Sequence, residues 1–162
     1  MSVPNIPLLN FQLSNTLSQH HHTSEAFTDV ISIDQLPKRL NTHSFVIVSS
    51  TKSWEKSGHW VMAGLSKMTD KAVFFCSLGH DPHFYGQELV SMLLNSTKKG
   101  YVYNDEKLQS PTAVSCGHFT CYVADLLCQG YSFKETIDTM SLDDQDANDV
   151  MVRHYYYEHM MN

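Results

Sequence analysis

The stretch GHWVMAGLSKMTDKAVFFCSLG, residues 58–79, holds two apolar runs, HWVMAGLS (59–66) and AVFFCSL (72–78), split by the polar KMTDK (67–71). Each run is short and rich in β-branched and aromatic residues, so both read as strands joined by a turn. Upstream, SFVIVSS (44–50) is a third run of the same kind. The even spacing predicts an antiparallel meander. YVY (101–103) is long enough for one more short strand.

Beyond the strands the apolar period changes. GQELVSMLLN (86–95) places Leu89, Val90, Leu93 and Leu94 at helical spacing. From Cys116 onward, Phe119, Val123, Leu126 and Leu127 share one helical face, and Gly130 is a natural helix stop. DDQDANDVMVRHYYYEHM (143–160) opens on acidic residues that suit a helix N-terminus, which predicts a final helix over about 143–161, peripheral to the core. Residues 1–26 are polar and read as an N-terminal arm with one short helix, leaving 27–162 as a single domain. The HHH at 20–22 suggests a metal by residue type. Three consecutive histidines cannot all face one ion from regular structure, so a solvated loop is expected there.

Composition bounds the rest. At 162 residues, with 42% hydrophobic and 17% charged content, the chain is that of one globular domain with a real core. No apolar run approaches the roughly 18 residues of a membrane span, and no basic residue precedes Lys38, so no secretory signal is expected. The cysteines at 76, 116, 121 and 128 form no CxxC, which predicts reduced thiols in an intracellular setting. A net charge of −6 argues against general nucleic-acid affinity, although ten histidines soften this at mildly acid pH.

One cysteine stands where chemistry converges. In QSPTAVSCGHF (109–119), Cys116 opens the predicted helix, where backbone N–H groups and the dipole favour a thiolate. Gly117 permits close approach of backbone and substrate. A thiol nucleophile needs an imidazole, and its tetrahedral intermediate needs two donors for the oxyanion. His59, beside Trp60 at the start of a strand, supplies the first. The Cys116 N–H and the Gln109 amide supply the second.

The ordered set of His-Trp on a strand, a following strand ending in SLG, and Gln-x6-Cys-Gly at a helix mouth resembles the adenovirus-type cysteine endopeptidases (adenain) and the related Ulp/SENP proteases. GHWVMAGL, FFCSLG and QSPTAVSCGHF carry the resemblance, and FTDVISIDQLPK followed by SFVIVSS and a charged turn is similar to the adenain lead-in. It spans roughly residues 27–128, and the short run before the histidine favours the adenain branch. The resemblance implies an α+β, papain-like fold of the adenain/Ulp type, with a small, mainly antiparallel sheet packed on the helix that begins at the nucleophile. It also implies a thiol protease that cuts precursor proteins of a virus or virus-like element through an acyl-enzyme. By the same resemblance the enzyme acts as a monomer inside a host nucleus or a virion. The enzymatic alternative is a protease for ubiquitin or a ubiquitin-like modifier.

The family pattern breaks at one place. The acidic triad member belongs at residue 76, which here is Cys76, a poor hydrogen-bond acceptor. Three readings stand open: Asp81 as a substitute acid, a Cys116–His59 dyad oriented by Cys76, water or backbone, and an impaired protein that binds without cutting. No metal or cofactor is expected. A zinc site from Cys116, His118, Cys121 and Cys128 lacks standard spacing, and Cys121 and Cys128 read as core packing. His154 and His159 read as surface residues of the tail helix. An activating peptide is implied by the resemblance alone. DNA activation is disfavoured, since Lys38-Arg39 and Lys98-Lys99 are the only paired basic residues.

Overall fold

The computed structural model describes residues 3–54, 58–67 and 69–161. Met68 of the 67–71 turn and residues 55–57 of the charged turn before His59 lie outside them. Five strands form one sheet in sequential order: β1 (Phe27–Ser32), β2 (Phe45–Ser49), β3 (Trp60–Leu65), β4 (Ala72–Phe75) and β5 (Tyr101–Tyr103). The three apolar runs make the expected antiparallel meander, with Ile47 opposite Met62 and Met62 opposite Phe75. The edges add what periodicity did not reveal. β1 lies parallel to β2, and β5 lies parallel to β4. Parallel neighbours need a crossover connection, and between β4 and β5 that crossover contains α2 (Gln87–Ser96).

Strand residues alternate between two cores. Phe45, Ile47, Met62, Val73 and Phe75 join one cluster, while Val46, Val48, Val61, Ala63, Ala72 and Phe74 join the other. Both faces are covered, which is why the strands read as unbroken apolar runs. The second face packs on Leu89, Met92 and Leu93 of α2. The first packs on α3 (Cys116–Cys128), whose residues from Cys116 to Asp125 are all buried. A helix enclosed on every side must be apolar nearly all round, and around this one lie α1 (Asn10–Gln19), α4 (Phe133–Asp138) and α5 (Gln145–Tyr155). None of the helices among the described residues is long and apolar enough to cross a membrane.

Three expectations need correction. The 1–26 arm is no loose appendage, because Leu8, Leu13 and Leu17 enter the main core at 2%, 0% and 0% exposure. Its polar composition hid an i, i+4 leucine pair. The final helix is not peripheral either: Val152, Tyr156 and Met160 are fully enclosed in the same core, the last two on a π-helical turn over Tyr156–Met160. At 20–22, His21 is exposed and His22 partly so. His20 is buried, and the carboxylate of Asp125 on α3 lies 2.9 Å from both His20 Nε2 and His22 Nδ1. On the tail, His154 meets Glu158 one turn on, and His159 is exposed.

Candidate active site

The start of β3, the end of β4 and the start of α3 meet where the sequence placed its reactive residues. His59 stands just before β3, its backbone tied to Ser50 by paired hydrogen bonds (2.9 and 2.8 Å). Its Nε2 lies 3.5 Å from Cys76 Sγ, directly beyond β4. Cys76 Sγ also meets the Tyr85 hydroxyl at 3.1 Å. Burial, together with Cys76, pushes the Tyr85 phenol up, so it stays protonated. Burial, aided by the neighbouring His80, holds the His59 imidazole down at about 4. His80 itself stacks flat on Phe84, with ring centroids 4.0 Å apart.

Cys116 is the first residue of α3. Backbone N–H groups of Trp60, Gly117 and Cys116 itself favour its thiolate, as a helix mouth should. Burial outweighs them, and a charge on nearby Cys76 would add to it, so the thiol is pushed up on balance. The expected low-pKa thiol is therefore not the resting form of the isolated chain. The N-terminal segment packs beside this helix mouth. The Trp60 indole N–H donates to the Leu8 carbonyl at 3.0 Å, and a Cβ on Gly117 would stand 3.1 Å from that of Leu8. The closeness that Gly117 permits is thus used by the chain itself.

Gln109 is buried, and its amide orientation is dictated by its partners. Nε2 donates to the Ala113 carbonyl at 2.9 Å, and Oε1 accepts from Ser77 Oγ at 2.5 Å. Nε2 has a second N–H beyond that to Ala113. The loop bearing Gln109 is tied down from two directions. From β4, the Ser77 carbonyl accepts from both Leu108 N and Gln109 N at 2.9 Å. From α5, Asn148 Nδ2 donates to the Leu108 carbonyl at 3.0 Å, while the Asp149 carboxylate accepts from Ser110 N at 3.2 Å and Ser115 Oγ at 2.7 Å. Cys76 is held in the same manner. Asn104 accepts from its N–H at 3.1 Å and donates to its carbonyl at 2.6 Å.

Asp81 is not brought to His59. Its Oδ1 caps the short helical turn at Pro82–Tyr85, accepting from His83 N at 2.8 Å, with His83 Nδ1 at 2.7 Å. The Tyr103 hydroxyl holds the carboxylate as well. Residues not singled out by sequence are Ser77, Tyr85, His80, Asn104, Asn148 and Asp149. The Ser of SLG was the one visible signal among them, whereas the others act through contacts remote in sequence. Cys121 is sealed in the core. His118 packs between Tyr156 and Tyr157, and the only gathered set of His, Cys, Asp or Glu ligand atoms among the described residues is His20–His22.

Neither a protein-family model nor any curated protein matches the chain. Solved structures do. The ASFV pS273R protease matches at a TM-score of 0.59 and 13% identity, over 93% of this chain and 67% of that one. Its Se-Met form matches at 0.64 and 12%, over 94% and 68%. The SUMO protease Ulp1 with its catalytic cysteine oxidized to a sulfinic acid covers 99% of this chain and 72% of its own at 14% identity. At a TM-score of 0.38 that third likeness adds nothing to the argument. The first two show that this chain shares the α+β fold of the ASFV pS273R protease.

Proposed function

We propose that this chain is a cysteine endopeptidase in which Cys116 is the nucleophile and His59 the general base. Cys116 Sγ attacks the scissile carbonyl carbon as its proton passes to His59. The Cys116 N–H and the second N–H of Gln109 Nε2 then receive the oxyanion. Collapse expels the amine, which takes the proton from His59, and leaves a thioester. A water deprotonated by His59 hydrolyses that thioester, releasing the acid and restoring the thiol.

The observation that supports this most is the meeting of three backbone ends. The thiol at the mouth of α3 lies against the backbone of Trp60, next to His59, whose ring is turned toward Cys76. Asp81, engaged elsewhere, leaves the dyad without a carboxylate. Substrates are read as precursor proteins of a virus or virus-like element, in keeping with the adenain-like motifs and with the viral source of the ASFV protease. Activation by a peptide, a monomeric state and action within an infected cell or particle belong to the same reading.

The test is cleavage of a diverse peptide library by the intact chain, read by mass spectrometry. Hydrolysis should fall by at least ~10³-fold in both Cys116→Ala and His59→Ala. Turnover that survives Cys116→Ala overturns the assignment of the nucleophile, and no turnover in the unaltered chain overturns the reading in favour of a protein that binds without cutting.

A further inference from the structure

We infer that His20, His21, His22 and Asp125 form a structural zinc site that clips the N-terminal helix to the helix carrying Cys116. The three histidines fall in the tight turn that ends α1, where the His20 carbonyl accepts from both Thr23 N and Ser24 N. This turn achieves what regular structure forbids: their ligand nitrogens all lie within 4.8 Å of one another. His20 Nε2 and His22 Nδ1 are 3.3 Å apart, and each is 2.9 Å from Asp125 Oδ1. Ligand atoms around a tetrahedral zinc with bonds of ~2.0–2.1 Å are separated by about 3.3–3.4 Å. Two nitrogens and one carboxylate oxygen therefore already approximate a tetrahedral face. His21 is exposed, with its ring centroid 3.9 Å from that of His22, and a ring rotation brings its nitrogen in as the fourth ligand.

Both oxygens of the buried carboxylate are in use: Oδ1 faces the His20 and His22 ring nitrogens, while Oδ2 is engaged by Gln129 Nε2 at 2.9 Å and by the Tyr155 hydroxyl. Two ring nitrogens 3.3 Å apart thus converge on one carboxylate oxygen. A divalent ion suits that convergence, because neutral imidazoles and a carboxylate are ligands it takes. Gln129 and Tyr155 then serve as the outer partners that orient a ligating carboxylate. Three nitrogens and one oxygen, all from protein, close the coordination, which marks a structural site and leaves no open position for substrate. Asp125 lies nine residues along α3 from Cys116, roughly 13 Å at 1.5 Å per residue. The clip spans α1, α3 and, through Tyr155, α5.

The experiment uses the full chain as Cys116→Ala, so that the nucleophilic thiol binds no metal, after chelator treatment and removal of the chelator. Zn²⁺ is titrated against a chromophoric competitor, Co²⁺ serves as a spectroscopic probe, and melting is followed with and without zinc. One equivalent should bind with submicromolar affinity. Co²⁺ should give visible bands of tetrahedral intensity, and excess zinc should raise the melting temperature by about 5 °C or more. His21→Ala and His22→Ala, both at accessible positions, should each weaken binding by more than ~10-fold. They keep the test decisive even if Asp125→Asn fails to fold. Affinity no tighter than ~100 μM, or tight binding that both variants leave unchanged, overturns the inference.

Discussion

On the proposed mechanism, residue 76 sets how well the dyad works. A Cys76 S–H donated to His59 Nε2 would leave the imidazole proton on Nδ1, the ring nitrogen that remains to act as base. A carboxylate at the same place would accept from Nε2–H, free Nδ1 as the base, and stabilise the imidazolium once formed. The low basicity of His59, about 4, follows from burial without such a partner. In Cys76→Asp, the new carboxylate would face Nε2 and accept from Tyr85. A charge pair at ~4 Å with an effective dielectric near 20 is worth about 4 kcal/mol, or roughly 3 pH units on the imidazole. Iodoacetamide labelling of Cys116 at pH 6 should then rise by at least ~10-fold. An unchanged rate would mean that residue 76 does not govern the dyad. Cys116 in the unaltered chain should label slowly below pH 8, because its thiol is pushed up by burial.

At the scale of elements, the loop from Asn104 to Ser115 is positioned by what it lies against. Gly79 adopts φ +77°, and a Cβ there would stand 2.8 Å from the Glu106 carbonyl carbon. Gly79→Ala must push this loop away from the end of β4 and strain its own backbone, at a cost of about 1–3 kcal/mol. Denaturant melts should show the loss, with a lower kcat for peptide cleavage beside it. Asp149 acts on the same loop from α5 through Ser110 and Ser115. In Asp149→Ala, the stranded Ser115 hydroxyl and Ser110 N–H predict about 2 kcal/mol of destabilisation. The drop should be chiefly in kcat, since the loop carrying Gln109, the proposed oxyanion donor, is displaced. A variant with full kcat would separate α5 from the site.

For the whole molecule, one half-buried and one fully buried imidazole contribute to the response to acid. Burial holds His59, and burial with Arg153 holds His118, at about 4 in the fold, against 6.5 for an unperturbed ring. Between these values the unfolded chain binds protons that the native one excludes. Their stabilising contribution is complete above about pH 6.5 and is lost as pH falls through 4, on the order of 3 kcal/mol for each ring. That is a large share of the ~5–15 kcal/mol by which a domain is held. Both ring nitrogens of His118 lack a hydrogen-bond partner, so an apolar residue of similar volume relieves a cost. His118→Leu should raise the melting temperature at pH 7 by a few degrees, about 1 kcal/mol. It should also flatten the fall in stability from pH 6.5 to 4, and an unaltered slope would show that His118 plays no part in it.

Local pattern alone determined the three central strands, the helix at Cys116 and the stop at Gly130, because both sheet faces and α3 from Cys116 to Asp125 are buried and leave an apolar signature in the chain. His59, Gln109 and Cys116 were legible from residue chemistry and order, and Cys76 only through the family resemblance. Only the tertiary structure decided their state. Burial raised the thiol, capping of the adjoining helical turn engaged Asp81 apart from His59, and contacts from Asn104, Ser77 and Asp149, distant in sequence, set the loops. The parallel edges were equally hidden, since pairing direction depends on crossovers and not on the period of a strand. Leu13 and Leu17 lay inside a polar stretch whose composition pointed outward, and a tight turn gathered three histidines that no regular element could aim at one point. In each case the deciding energy was desolvation or a long-range hydrogen bond, and neither is written in the order of residues.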